Sequence, residues 1–457
     1  MAVQKASALP RKRFFIEMFT RDISLVDCIL DLVDNAIDGL IRLQDIDLLD
    51  GLLVEQDALT HAEIARLPNI SIKISRRQVV VSDNCGGISF ANAKNDVFNF
   101  GHSSSNETST QKGQLGVYGI GLKRAIFKLG NSFEMSSNTS KDGFIVEIPS
   151  LDNWALHDSR LEDWTFPIQK IIGAVSSEKA GSTIKVTKLR EEVVTAISSS
   201  VFINRLVEDI GQVYALFLNR FVTIKINGKM VSPIPIPIGQ SEAVSPAHKI
   251  LQEGSVTIKL IAGLAAKNSK EQWKAARAGW YVACNGRLVV VADKSEITGW
   301  GSVSLPNFHT KYRGFVGLAI FQSANPLDLP WKTSKRGLNE ENTAYQRVRS
   351  QMRILTRSIL SFLDRMYPSD LAEEPRERAI ADGVTSTDVR RVMNTPQTSF
   401  TVENSTRRKS ASTNKIQFAA KKTDIQKIRK HLCDPEMSAV KIGQHVFQYF
   451  LKKEGLE

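Results

Sequence analysis

The chain has 457 residues, 42% hydrophobic and 24% charged, the make-up of a globular protein with material for more than one core. Its 60 Lys and Arg against 48 Asp and Glu leave a formal charge of +12, which favours anionic partners such as nucleic acid and is silent about fold. Cys28, Cys85, Cys284 and Cys433 stand apart, with no C-x-x-C or Cys/His cluster, so neither a zinc site nor a disulfide framework is suggested. No apolar run approaches the roughly 18 residues of a membrane span, and the opening MAVQKASALPRKRFF lacks the apolar core of a signal peptide, so a cytoplasmic location is expected.

Residues 1–192 mix helix and strand patterns and hold every glycine-rich loop with chemical character. Within residues 27–40, DCILDLVDNAIDGL, helical spacing puts Ile29, Val33, Ala36, Ile37 and Leu40 on one face. Asp27, Asp31, Asp34, Asn35 and Asp38 fall on the other. The pairs Asp27/Asp31 and Asp34/Asp38 lie one turn apart and repel, by about 0.2–0.5 kcal/mol each in an isolated helix. No Lys or Arg is interleaved, so this face calls for a cation from elsewhere; a solvated acidic face on a core helix is the plainer alternative.

Residues 78–88, QVVVSDNCGGI, read as a buried strand ending in a tight turn. Asp83 precedes Gly86-Gly87, where a backbone can approach a ligand closely, and an ionised carboxylate there suits a donor such as an exocyclic amine. A plain β-turn uses the same residues. Residues 113–130, GQLGVYGIGLKRAIFKLG, place Gly116, Gly119 and Gly121 ahead of a helix starting near Leu122, with Lys123 beside it. Free N–H groups and the positive end of the helix dipole make that an anion site, although no Walker A pattern occurs in the chain. The polar stretch 101–113 has the composition of a lid.

Residues 193–368 begin with a helical stretch, 197–221, followed by strands bent at Asn227-Gly228 and Asn285-Gly286, a strong hairpin signal. An amphipathic helix from about 340 to 366 closes the region. Residues 369–413 read as a flexible linker, and 414–457 as a basic region in which a short strand-like KIQF precedes two helices. Between Ser405 and Lys430, Arg407, Arg408, Lys409, Lys415, Lys421, Lys422, Lys427, Arg429 and Lys430 resemble a polyanion footprint, and Val440, Val446, Phe447, Phe450 and Leu451 further on suit a packed helix or a partner surface. No internal repeat is apparent.

Taken in order, these motifs resemble the GHKL ATPase superfamily of gyrase, MutL, Hsp-type chaperones, topoisomerase VI, histidine kinases and MORC proteins. Its E-x-x-x-N-x-x-D helix is matched by Asp31, Asn35 and Asp38, and its D-x-G-x-G turn by Asp83-Asn84-Cys85-Gly86-Gly87. Its G-x-x-G-x-G-[LF]-K loop is matched by residues 116–123, and its G-T-x-I strand by Gly181-Ser182-Thr183-Ile184. The opening segment and the GIGLK loop look most like bacterial MORC-like members.

The resemblance implies an α+β protein: a Bergerat α/β sandwich, a transducer-like α+β domain and a small helical C-terminal region. It implies ATP with Mg²⁺ as cofactor, the metal held by Asn35. Asp31 would be the general base, and Asp83 would read the adenine amine. The remaining nucleotide contacts would come from Asp38, Gly87, Ile88, Gly116, Tyr118, Gly119, Ile120, Gly121, Leu122, Lys123 and Ser182. Lys335, or failing that Lys332, would reach the terminal phosphate from the second domain. Asp31 stands where the family has glutamate, one methylene longer, so either the helix sits closer to the phosphate or a second water relays the proton. Asp34 is turned toward another edge. The implied function is an ATP-gated dimeric switch or clamp on nucleic acid, serving DNA maintenance or defence against foreign DNA. A chaperone-like ATPase acting on protein clients and a nucleotide-binding protein with little turnover are the alternatives.

Overall fold

The computed structural model describes residues 10–44, 51, 58–99, 113–116, 119–157, 163–173, 175–267, 273–367, 376–402, 419–432 and 434–455. The chain divides into two compact units, Met1–Glu403 and Asn404–Glu457.

The larger unit holds an eight-stranded sheet: β1 (Asn69–Ser75), β2 (Gln78–Asp83), β3 (Gly130–Asn138), β4 (Gly143–Ile148), β5 (Ile168–Ile171), β6 (Gly181–Leu189), β7 (Thr223–Ile226) and β8 (Lys229–Met230). The strand order is β5-β4-β3-β6-β2-β1-β7-β8, antiparallel except where β7 joins β1 in parallel. Helices α1 (Lys12–Arg21), α2 (Leu25–Gln44), α3 (Gly121–Leu129) and α4 (Ser200–Val213) belong to this layer, with α2 and α3 packed together over the sheet. Alternation along the strands sets which side chains meet them. Val79 and Val81 of β2, and Ile184 and Val186 of β6, are buried, whereas Lys185 and Glu134, paired across β6 and β3 at 3.4 Å, stay half exposed. The mixed α+β character is as expected, and the sheet takes its last two strands, β7 and β8, from beyond residue 192.

Helix α2 differs from the expected amphipathic one. Cys28, Leu30 and Leu32 are buried along with Ile29, Val33, Ile37 and Leu40, and so are Asp31, Asp34 and Asp38. Only Asn35 in this stretch keeps partial exposure, so the three carboxylates have little access to water.

A second sheet contains β11 (Ala247–Glu253), β12 (Val256–Leu264), β13 (Gly279–Cys284), β14 (Arg287–Asp293) and β15 (Phe315–Gln322), after the short pieces β9 (Gly239–Gln240) and β10 (Val244–Ser245). Its order is β11-β12-β15-β13-β14, and helix α5 (Thr343–Arg365) packs on β12 and β15, whereas the hairpin at Asn227-Gly228, expected in this region, belongs to the first sheet as β7 and β8. Strands β13 and β15 are buried at every residue, which fits their near-continuous apolar runs GWYVAC and FVGLAIFQ. Both Asn-Gly pairs bend as their chemistry demands, with positive φ at Asn227, Gly228, Asn285 and Gly286.

Within the stretch read as a linker, residues 376–402 form short helices and strands. Strand β16 (Thr385–Ser386) pairs with β9, and β17 (Thr401–Val402) pairs with β10. Buried Val384, Val389, Val392 and Met393 give this segment the apolar anchors that its polar composition concealed. In the smaller unit, α6 (Lys422–His431) and α7 (Ala439–Lys453) are the two expected helices. The KIQF stretch, Arg407, Arg408, Lys409 and Lys415 lie outside the described residues. No described helix is long and apolar enough to cross a membrane.

Candidate nucleotide site

Helix α2 starts at Ser24, whose hydroxyl oxygen accepts from the Asp27 amide at 3.1 Å. Each of its carboxylates then meets a donor from a distant segment. Asp31 accepts from Arg124 of α3, at 2.7 Å from Nη2 and 3.3 Å from Nε. Asp34 is fully enclosed: Oδ1 accepts from the Tyr214 hydroxyl at 2.7 Å and from Arg287 Nε at 2.9 Å, and Oδ2 from Lys335 Nζ at 2.8 Å. Asp38 accepts from the backbone amides of Leu115 at 2.6 Å and Gly116 at 2.7 Å. At the helix start, Asp27 pairs with Arg336, which also donates to Asp209 at 3.1 Å.

The cation that the acidic face called for therefore comes from the protein itself. Arg124 stands against Asp31, and Arg287 and Lys335 against Asp34, with all of these side chains largely buried. Paired charges of this kind are tolerable in such surroundings, and single ones are not. Burial raises the Asp31 carboxyl above its ordinary range, against the pull of Lys335 and Arg124. Burial pushes Asp34 upward too, but Arg287 and Lys335 together outweigh it and hold that carboxyl low. Asp38 is raised by burial.

The glycine turn after β2 forms one end of the site. Burial lifts Asp83 to about 6, although its carboxylate accepts from the amides of Cys85 at 2.9 Å and Ser182 at 3.4 Å. Gly87 has φ +66, and a Cβ there would strike the carbonyl of Asn138. No other residue fits that position. Ser137, which the sequence did not single out, ties the turn to β6: its hydroxyl accepts from the Ile88 amide at 2.8 Å and lies 2.8 Å from the Ser182 hydroxyl. Cys85, the departure from the family's glycine, sits without a left-handed φ, so its side chain is tolerated.

The other end is the start of α3. Gly121 opens the helix, and a Cβ on it would come within 3.2 Å of Asp31 Cγ, so the helix start lies directly against that carboxylate. Lys123 is buried and donates to the carbonyls of Val97, at 2.8 Å, and Gly119. Burial lowers its ammonium to about 8.

Between these ends lies a cavity of about 210 Å³. Asp31, Asn35, Asp38, Asp83, Gly87, Ile88, Gly116, Gly119, Ile120, Gly121, Leu122, Lys123, Ser182 and Lys335 all line it. Tyr118 and the lid stretch up to residue 112 lie outside the described residues. Lys332 is exposed and does not line the cavity, whereas Lys335 does, so the structure separates the two lysines. Arg124, Arg287 and Tyr214 went unread in the sequence. Arg124 had one signal, its place directly after the lysine of the GIGLK loop, and Arg287 had its place directly after an Asn-Gly turn.

A buried acid in a glycine turn, an amide-bearing acidic helix and a glycine-lined helix start around one cavity define an ATP-binding domain of the GHKL class. Residues 23–164 match the family model described as Histidine kinase-, DNA gyrase B-, and HSP90-like ATPase, and the N-terminal part of the chain is a GHKL ATPase domain. Ser182, Arg287 and Lys335 lie beyond the matched span, so their place at the cavity rests on the structure. No curated protein matches the chain.

Proposed function

We propose that the protein is a Mg²⁺-dependent ATPase that works as an ATP-gated dimeric switch on nucleic acid in the cytoplasm. The observation that carries the reading is the convergence of Asp31, Asn35, Asp83, Gly121 and Lys335 on one cavity. Asp83, when ionised, accepts from the adenine amine, with Gly87, Ile88 and Ser182 shaping its surroundings. The amides at the start of α3 and the charge of Lys123 take the phosphates. Asp38 orients that loop through Leu115 and Gly116.

The donor set suits the metal. Among the described residues no group of three or more His, Cys, Asp or Glu forms a ligand cluster, so an ion beside Asn35 would draw on one amide oxygen, phosphate oxygens and waters. That small, oxygen-only set is what Mg²⁺ prefers. When bound, the metal neutralises charge on the phosphate oxygens and so eases attack at the terminal phosphorus. Asp31 takes the proton of the attacking water. Its raised pKa makes it a stronger base than a solvated carboxylate, and Arg124 fixes its orientation. The shorter aspartate side chain is compensated by the close approach of Gly121. Lys335 moves its charge toward the terminal phosphate and steadies the closed state.

The nucleic-acid client is supported by the net charge of +12 and by the run Lys421, Lys422, Lys427, Arg429 and Lys430 around α6. The MORC-like look of the opening segment favours DNA maintenance or defence against foreign DNA. A second reading, nucleotide binding with little turnover, is favoured by the Arg124–Asp31 pair, which engages the proposed base directly.

Turnover measured with Mg²⁺, alone and with double-stranded DNA, single-stranded DNA or denatured protein, separates these readings. Stimulation by DNA is expected. Stimulation by denatured protein alone would move the assignment to a chaperone-like ATPase. ATP binding without turnover would leave the second reading, and failure to bind ATP would end the proposal.

A further inference from the structure

The turn between β13 and β14 reaches the nucleotide site from the second sheet. Its Asn285 donates through Nδ2 to the carbonyl of Gln114 at 3.1 Å and to that of Ser323 at 3.1 Å. Gln114 lines the cavity and adjoins Leu115 and Gly116, whose amides hold Asp38. Two residues after Asn285, the guanidinium of Arg287 bridges two other parts of the site. Nε donates to Asp34 at 2.9 Å, and Nη1 donates to the backbone carbonyl of Lys335 at 2.8 Å.

Lys335 needs such a hold. Its φ is +53, in the left-handed region that residues with a Cβ seldom adopt. The conformation is fixed from both sides: its amide donates to the Lys332 carbonyl at 2.7 Å, and its carbonyl accepts from Arg287. The same loop is tied to β14 again where the Gly337 amide donates to the Val289 carbonyl at 2.9 Å. Arg287 is 1% exposed, so these bonds lie out of competition with water. It binds the carboxylate that receives the lysine's ammonium and also the backbone that carries the lysine. A guanidinium can do both at once because its donors are spread in a rigid plane, whereas an ammonium is a single point.

We propose that Arg287 is a positioning residue for ATP hydrolysis, holding Lys335 at the cavity so that movement of the second sheet sets whether the lysine can serve the terminal phosphate. This rests on the reading of Lys335 given above.

The test uses full-length protein and four forms: wild type, Arg287→Lys, Lys335→Ala and the double variant. Arg287→Lys keeps a positive charge beside Asp34 but lacks the second arm. Its affinity for a fluorescent ATP analogue is expected to stay within about twofold of wild type while kcat falls by about tenfold or more. In the double variant kcat should equal that of Lys335→Ala alone, because a residue that acts through the lysine has nothing left to position. Additive losses, or wild-type kcat in folded Arg287→Lys, overturn the proposal while leaving Lys335 its role. Wild-type kcat in Lys335→Ala removes the role of the lysine, and that of Arg287 with it. Should Arg287→Lys not fold, Arg287→Gln, which leaves the Asp34–Lys335 pair in place, takes its part. The same comparison with Lys335→Ala then decides.

Discussion

Asp83 and Lys123 both line the cavity, and burial moves both toward neutrality, to about 6 and about 8. Asp83 can accept from an amine only when ionised, so binding weakens as pH falls through 6. Lys123 attracts phosphate only when protonated, so binding weakens as pH rises through 8. ATP affinity should therefore be bell-shaped, each limb approaching about tenfold per pH unit well beyond its pKa. Adenosine, which carries no phosphate, should show the acid limb alone; an alkaline limb for adenosine in a titration series would contradict the Lys123 assignment. Asp31→Asn should retain ATP affinity and lower turnover about 10²–10⁴-fold, as loss of a general base does, and unchanged turnover would remove Asp31 from that role. These residues were readable because each stands in a short local motif. Their charged partners were not. Arg124, Tyr214 and Arg287 lie 93, 180 and 253 residues from the carboxylates they serve, and no local pattern carries that distance.

Helix α2 shows how an element can be recognised by sequence and still misjudged in its surroundings. Its period was plain, and its acidic face read as solvated or metal-bound. In the fold that face is buried against α3, α4 and the second sheet, and protein cations balance it. The hairpin turns were legible because Asn-Gly states its own backbone geometry, but where their tips point depends on packing between sheets. Helix α3 offers a direct test of the contact between elements. Gly121→Ala should favour the helix by up to about 1 kcal/mol through propensity, yet crowd Asp31 at 3.2 Å. The expected result is a thermal midpoint no lower than wild type with turnover reduced by about tenfold, since sub-ångström displacement of a reacting group is expensive. Equal turnover would show that Asp31 has room to spare.

At the scale of the whole molecule, the two compact units divide at residue 403, close to where the basic run begins. Deleting residues 407–457 should leave ATP turnover without DNA intact, while DNA affinity falls and its dependence on salt flattens. Binding isotherms at several salt concentrations would show this, and an unchanged slope would leave the tail without that role. The mixed α+β character of the chain was legible from composition and periodicity, whereas the membership of β7 and β8 in the first sheet was not. The order within residues 376–402 was not, because its few apolar anchors are scattered through polar sequence. The parallel pairing of β7 with β1 has a practical consequence. A fragment stopping at residue 192 would strip β1 of its parallel neighbour along Asn69–Ile72 and expose an isoleucine-bearing edge with unfilled N–H and C=O groups, an invitation to self-association. Anyone excising the ATPase half for biochemistry should carry the cut past residue 230, or expect inclusion bodies.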